Sequence, residues 1–137
     1  MPSSESIANL RAGVFGLTAG ICLLYAVLAL ATGRPDPMPV WIPGVCGLLS
    51  ALLLTLASRA AGRAAARRAW DEGYRADARR AGSSAFWIAL ALYPAFGALR
   101  AADLIGPDLA MAVMGLLTGA SYLALLTWFE LRGRGEG

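Results

Sequence analysis

The stretch RRAWDEGYRADARRAG, Arg67 to Gly82, concentrates the residues of this chain that are best suited to recognising another molecule. Trp70 and Tyr74 fall one helical turn apart. Arg67, Arg68, Arg75, Arg79 and Arg80 surround them, with Asp71, Glu72 and Asp77 interspersed. An aromatic pair ringed by guanidinium groups has the composition of a protein-binding hot spot. Catalysis fits these residues less well. The chain has no histidine, and all 12 of its basic residues are arginine. No Ser-His-Asp or Cys-His set can form, and no G-x-x-x-x-G-K phosphate loop is present. The three acids have no His or Cys beside them, and the neighbouring arginines compete for their charge, so a metal site is not expected. The expectation is a partner surface made of Arg67, Arg68, Trp70, Asp71, Glu72, Tyr74, Arg75, Arg79 and Arg80, with no catalytic residue, metal or cofactor.

What surrounds this stretch is almost entirely apolar. Of 137 residues, 58% are hydrophobic and only 15% charged, a composition far from the soluble average that places the chain among integral membrane proteins. About 20 apolar residues in a helix cross the roughly 30 Å hydrocarbon layer, where the backbone must satisfy its own hydrogen bonds. Four such runs are found, at about 13–32, 38–57, 85–102 and 109–126. The first is long and others follow it, so it reads as a retained span rather than a cleaved signal. The links Gly33-Arg34-Pro35-Asp36-Pro37 and Leu104-Ile105-Gly106-Pro107-Asp108 are short, so each joins a helical hairpin. The predicted fold is all-α: one membrane-embedded four-helix bundle of two hairpins, with a charged cytoplasmic helical loop over 58–84.

Orientation follows from the arginines, because positively charged loops remain in the cytoplasm. Arg59, Arg63, Arg67, Arg68, Arg75, Arg79 and Arg80 lie between spans two and three, and Arg11, Arg132 and Arg134 belong to the same side. The other side has Arg34 and Arg100. Trp41, Trp87 and Trp128 fall near span ends, as interfacial tryptophans do. Both termini are therefore expected in the cytoplasm, and the Ala-, Arg- and Gly-rich composition suggests a bacterial inner membrane. Arg100, close to the end of span three, is expected to snorkel outward or pair with Asp103.

Within the spans the chemistry is sparse. Cys22 and Cys46 lie in spans one and two without a Cys-x-x-Cys pair, and read as free buried thiols. Small residues recur at four-residue spacing in Ala12-Gly16-Gly20, Gly47-Ala51, Ala98-Ala102 and Gly115-Gly119. Such spacing lets helix backbones approach closely, inside the bundle or against another subunit, a homo-oligomer included. Pro94 predicts a kink in span three. The hydroxyls of Tyr25, Tyr93 and Tyr122 need partners, as polar links between helices or as the lining of a small-molecule pocket.

From Ser58 to Gly82 the Ala/Arg composition predicts that span two continues as a helix until Gly82-Ser83-Ser84. Arg68, Asp71, Glu72, Arg75 and Arg79 would share one face, with Arg68–Glu72 and Asp71–Arg75 as four-residue ion pairs. Trp70 and Tyr74 would share the other. An amphipathic helix of this kind can lie at the headgroup boundary, its arginines meeting anionic lipid, or can present Trp70 and Tyr74 to a cytoplasmic protein. The loop's net charge of +4, seven arginines less three acids, is too thin a signal for direct nucleic-acid binding.

DEGYRADARRAGSSAFW, Asp71 to Trp87, resembles a segment of uncharacterised small bacterial four-span membrane proteins. Their cytoplasmic hairpin reads Asp-Glu-Arg, then an Ile, a basic pair and Ala before aromatics enter the next span. Asp71, Glu72, Arg79, Arg80 and Ala81 match, whereas Gly73 stands in place of the Arg and Asp77 in place of the Ile. Genes of that kind often lie beside small helix-turn-helix regulators. The resemblance implies a membrane protein that controls a cytoplasmic transcription factor, with no catalytic residues.

Three functions compete on these grounds. The first is a non-enzymatic accessory or regulatory membrane protein that engages a cytoplasmic partner through the Arg-rich helix, a class that includes structural subunits of larger membrane complexes. The second is a small oligomeric transporter or channel. Small multidrug resistance transporters have a similar size, but they rely on a membrane-embedded Glu in the first span, and span one here has no acid. The third, an enzyme acting on lipid through Tyr and Asp or Glu, has no residues that converge by spacing.

Overall fold

The computed structural model describes residues 3–135, with side chains through 133. Among the described residues it is all-helical: α1 Ser4–Thr32, α2 Trp41–Ala60, α3 Gly62–Ala69, α4 Glu72–Ala101 and α5 Pro107–Gly135. Helices α1, α2, α4 and α5 are each long and apolar enough to cross a membrane. The expected spans are the apolar parts of longer helices, since α1, α4 and α5 extend beyond the greasy runs at the end where the arginines gather.

Local chemistry accounts for the boundaries. Ser3 caps α1 by accepting a hydrogen bond from the Ser6 amide, and Gly33 ends it in the left-handed conformation at φ 66°. Pro35, Pro37 and Pro39 then prevent a helix from continuing, so α2 begins at Trp41, three residues later than the apolar run suggests. At the other link Asp103 takes a positive φ of 55°, and α5 begins on Pro107, whose missing amide is harmless at a first helical position. Helix α4 runs through Pro94.

The four long helices lie side by side in the order α2, α1, α5, α4. Helices α1 and α5 form the inner pair, the two helices of each hairpin pack against each other, more sparsely in the first, and α2 makes no substantial contact with α4 or α5 among the described residues. The two expected hairpins are therefore present, joined through one broad α1–α5 seam. Toward the 33–40 and 102–106 links, Tyr25, Ala26 and Ala29 of α1 meet Phe96 of α4 and Leu109, Ala110 and Val113 of α5 in the main apolar cluster. The Tyr25 hydroxyl donates to the Pro35 carbonyl at 3.2 Å and so fixes the first link to α1. Midway along the first hairpin the hydroxyls of Thr18 and Ser50, both buried, are 2.9 Å apart, and Thr18 also donates to the Val14 carbonyl.

The segment between α2 and α4 departs from the single helix expected over 58–82. Gly62, at φ 81°, breaks the helix after Ala60, and α3 lasts only eight residues. A second break falls at Trp70 and Asp71. There the Asp71 carboxylate accepts from the Tyr74 amide at 3.1 Å and caps α4. No turn occurs at Gly82-Ser83-Ser84, which lie inside α4. Packing overrides their weak helix propensity: Ala81 and Ala85 are buried, and a side chain at Gly82 would sit 3.9 Å from the Tyr122 ring of α5.

Candidate partner-binding surface and its anchor

The two breaks separate the expected partner residues into two groups with different surroundings. Arg67 and Arg68 end α3, and Glu72, Arg75, Arg79 and Arg80 belong to the first turns of α4; all are exposed. Asp71 is exposed as well, but one of its oxygens is engaged in the cap. The Arg68–Glu72 pair expected within one helix is divided by the break, and the geometry that would have placed Trp70 and Tyr74 together on an outward face is lost with it.

Trp70 and Tyr74 turn inward and are half-buried. Their rings meet edge to face with centroids 4.9 Å apart. The Arg11 guanidinium lies over both, 4.9 Å from the Trp70 centroid and 4.2 Å from that of Tyr74. Arg11 also donates from Nη2 to Glu130 Oε1 at 2.7 Å and from Nε to Glu130 Oε2 at 3.1 Å, a two-point ion pair. Its remaining Nη1 donates to the Ala69 carbonyl at the end of α3. The Trp70 indole donates to the Ser58 hydroxyl of α2 at 3.1 Å.

One guanidinium thus joins residues of four helices, α1, α3, α4 and α5, and Trp70 extends the connection to α2. Arg11 is only 4% exposed and Glu130 8%. Burying either charge alone is costly, and here the cost is offset by a fork-to-carboxylate geometry, a carbonyl that accepts the third N–H, and two aromatic faces. Beneath this cluster Ile7 packs with Ala61 and Ala69 in a small second core. The Arg-rich segment is accordingly held against α1 and α5 by an internal anchor, with its arginines left outside.

Sequence reasoning found the segment and missed the anchor. Arg11 is one more positive charge beside span one, and Glu130 lies just beyond the fourth apolar run. Each is a lone charge at the edge of an apolar run, 119 residues from its partner, and a single sequence carries no signal that joins them.

The remaining expected positions are distributed over the helices. Gly16 lies in the α1–α5 seam, where a side chain would approach the Thr127 methyl at 3.6 Å. Gly20, Gly47, Gly115 and Gly119 have no such neighbour within 4 Å among the described residues; Gly20, Ala51, Gly115 and Gly119 are exposed and Gly47 is half-buried. Cys22 is buried and Cys46 half-buried, both as free thiols. Tyr93 and Arg100 line a groove of about 610 Å³ between α4 and α5, together with Phe96, Met111 and Thr118, whereas Tyr25 is engaged with Pro35. Among the described residues no group of three His, Cys, Asp or Glu is placed to hold a metal ion. No protein-family model, no curated protein and no solved structure matches the chain.

Proposed function

We propose that this chain is a non-enzymatic accessory or regulatory protein of a bacterial inner membrane that engages a partner protein through its Arg-rich segment, with the ends of α1 and α5 on the cytoplasmic side. The supporting observation is the division of labour between α3 and the start of α4. Arg67, Arg68, Arg75, Arg79 and Arg80 are exposed on a segment that Trp70 and Tyr74 fasten to Arg11 and Glu130. Fastened in this way, the basic surface loses little conformational entropy when it binds, which favours an acidic protein surface as partner. Charge placement supports the orientation, because the arginines of 59–80 lie at the same end as Arg11 and Arg132.

The test is crosslinking in native membranes followed by mass spectrometry, comparing the unaltered chain with an R67E/R68E/R79E/R80E variant. Loss of crosslinks between 67–80 and one cytoplasmic protein, with membrane insertion intact, is the expected outcome. An unchanged crosslink pattern would sink the proposal.

A second reading, a subunit of a larger membrane complex, is favoured by an exposed small-residue stripe. Gly115 and Gly119 of α5 leave room for another helix to approach. Crosslinks through this stripe to a large membrane protein, rather than through the arginines, would support it.

A further inference from the structure

A groove of about 770 Å³ runs along the outer side of the first hairpin; it shares Trp70 and Tyr74 with the anchor but none of the exposed arginines of 67–80. Its floor and walls come from Phe15 of α1 and from Gly47, Ala51 and Leu54 of α2. Arg59 and Arg63 line its other end, next to Trp70. Gly47 and Ala51 present almost no side chain, so the helix surface is indented there, and a Cβ added at Gly47 would meet nothing within 4 Å.

The dimensions match one half of a bilayer. Between Gly47 and Arg59 a helix rises about 18 Å at 1.5 Å per residue, against about 15 Å for the hydrocarbon of one leaflet. Apolar lining therefore occupies the depth of the acyl chains, and the two guanidinium groups stand at headgroup level, where an interfacial Trp also belongs. Arg59 and Arg63 are both exposed, and among the described residues no carboxylate lines the groove. The hydroxyl of Ser58 also lines it and accepts from the Trp70 indole, which leaves its own proton to donate.

We infer that this groove is a binding site for a single anionic phospholipid of the leaflet nearest the arginines, its phosphate held by Arg59 and Arg63 and one acyl chain lying over Gly47 and Ala51. Charge complementarity selects this occupant. An apolar helix from another subunit would leave the two guanidinium groups unpaired, whereas a zwitterionic lipid would bring its own cation against them. The lipid would seat beside Trp70 and so brace the α2–α3 joint from outside.

Native mass spectrometry of the detergent-purified chain, titrated with equal amounts of phosphatidylglycerol and phosphatidylcholine, tests the inference. The unaltered chain should retain one phosphatidylglycerol with about a thirty-fold preference, the factor corresponding to two arginines near a charged headgroup. R59Q/R63Q should abolish the preference. R79Q/R80Q, which removes equal charge elsewhere, should leave it in place. G47L, which fills the groove and keeps both arginines, should lower retention of that lipid at least ten-fold. Equal retention of the two lipids by the unaltered chain overturns the inference. So does an equal loss in the R59Q/R63Q and R79Q/R80Q variants, which would reveal diffuse charge attraction, and so does full retention by G47L.

Discussion

Arg11 and Glu130, 119 residues apart in sequence, form a buried two-point ion pair that closes α1 onto α5 at the end of the molecule where the arginines gather. The pair does more than join two helices. The same guanidinium reaches the last carbonyl of α3 and covers Trp70, in the break that follows, and Tyr74, in the first turn of α4. A membrane protein has little hydrophobic driving force to hold its helices together within lipid, so a polar junction at the helix ends has a disproportionate influence on their arrangement.

The first prediction follows from the burial of both charges. Replacing Arg11 with Met leaves the Glu130 carboxylate without its guanidinium, and should lower stability by about 3–5 kcal/mol. Glu130→Met should cost a similar amount. The R11M/E130M double variant removes both charges and should be more stable than either single variant, since no isolated ion remains buried. Unfolding in mild detergent, followed by tryptophan fluorescence, measures all three. Additive losses in the double variant would show that the two charges act independently.

Arg11 also touches two aromatic faces, which separates ring from hydroxyl at position 74. Tyr74→Phe keeps the face under the guanidinium and should change stability little. Tyr74→Leu removes it and should cost about 0.5–2 kcal/mol. Hydrogen exchange over 59–80 gives the local reading: protection should fall in the Leu variant and persist in the Phe variant. Equal protection in both would mean that Arg11 does not hold the segment through this ring.

The sequence made the four spans and the two hairpins legible, because about 20 apolar residues between Pro- and Gly-rich links leave few alternatives. The segment over 58–84 was read less well, for a physical reason. Its Ala and Arg content favours one long helix, and neither Gly62 nor Asp71 signals strongly enough alone to break it. The positive φ of Gly62 permits the first break, and the bent chain lets Trp70 reach Ser58 and Arg11 at once, which a continuous helix would not permit. Gly82-Ser83-Ser84 show the converse, a local turn signal silenced by the packing of Ala81 and Ala85. Composition alone singles out the arginines of 67–80 as expected partner residues. Their anchor depends on Arg11 and Glu130, whose proximity arises only from the folded chain.

Thr18 and Ser50 offer a measure of polar coupling within the first hairpin. Their hydroxyls are 2.9 Å apart and buried between α1 and α2. A double-mutant cycle with Thr18→Val and Ser50→Ala should give a coupling energy of about 0.6 kcal/mol, the average for hydroxyl and similar contacts between membrane helices. A value indistinguishable from zero would show that the pair contributes nothing specific to the hairpin.

Gly62 sets the direction in which α3 leaves α2. Its φ of 81° suits a residue without a Cβ, and although an added Cβ would meet no atom within 4 Å, the backbone itself resists the change. Gly62→Ala should therefore cost about 1–2 kcal/mol through conformation alone. The chain can relieve that strain by straightening α2 into α3, the single helix that composition favours. Straightening would draw Trp70 away from Ser58 and Arg11, so its indole should become accessible to an aqueous quencher. Gly133→Ala, a change within α5 at a position with open space and an ordinary helical backbone, is the control and should leave Trp70 shielded. Equal quenching of both variants would show that Gly62 does not set the bend, and that Trp70 and Arg11 impose it from the other side.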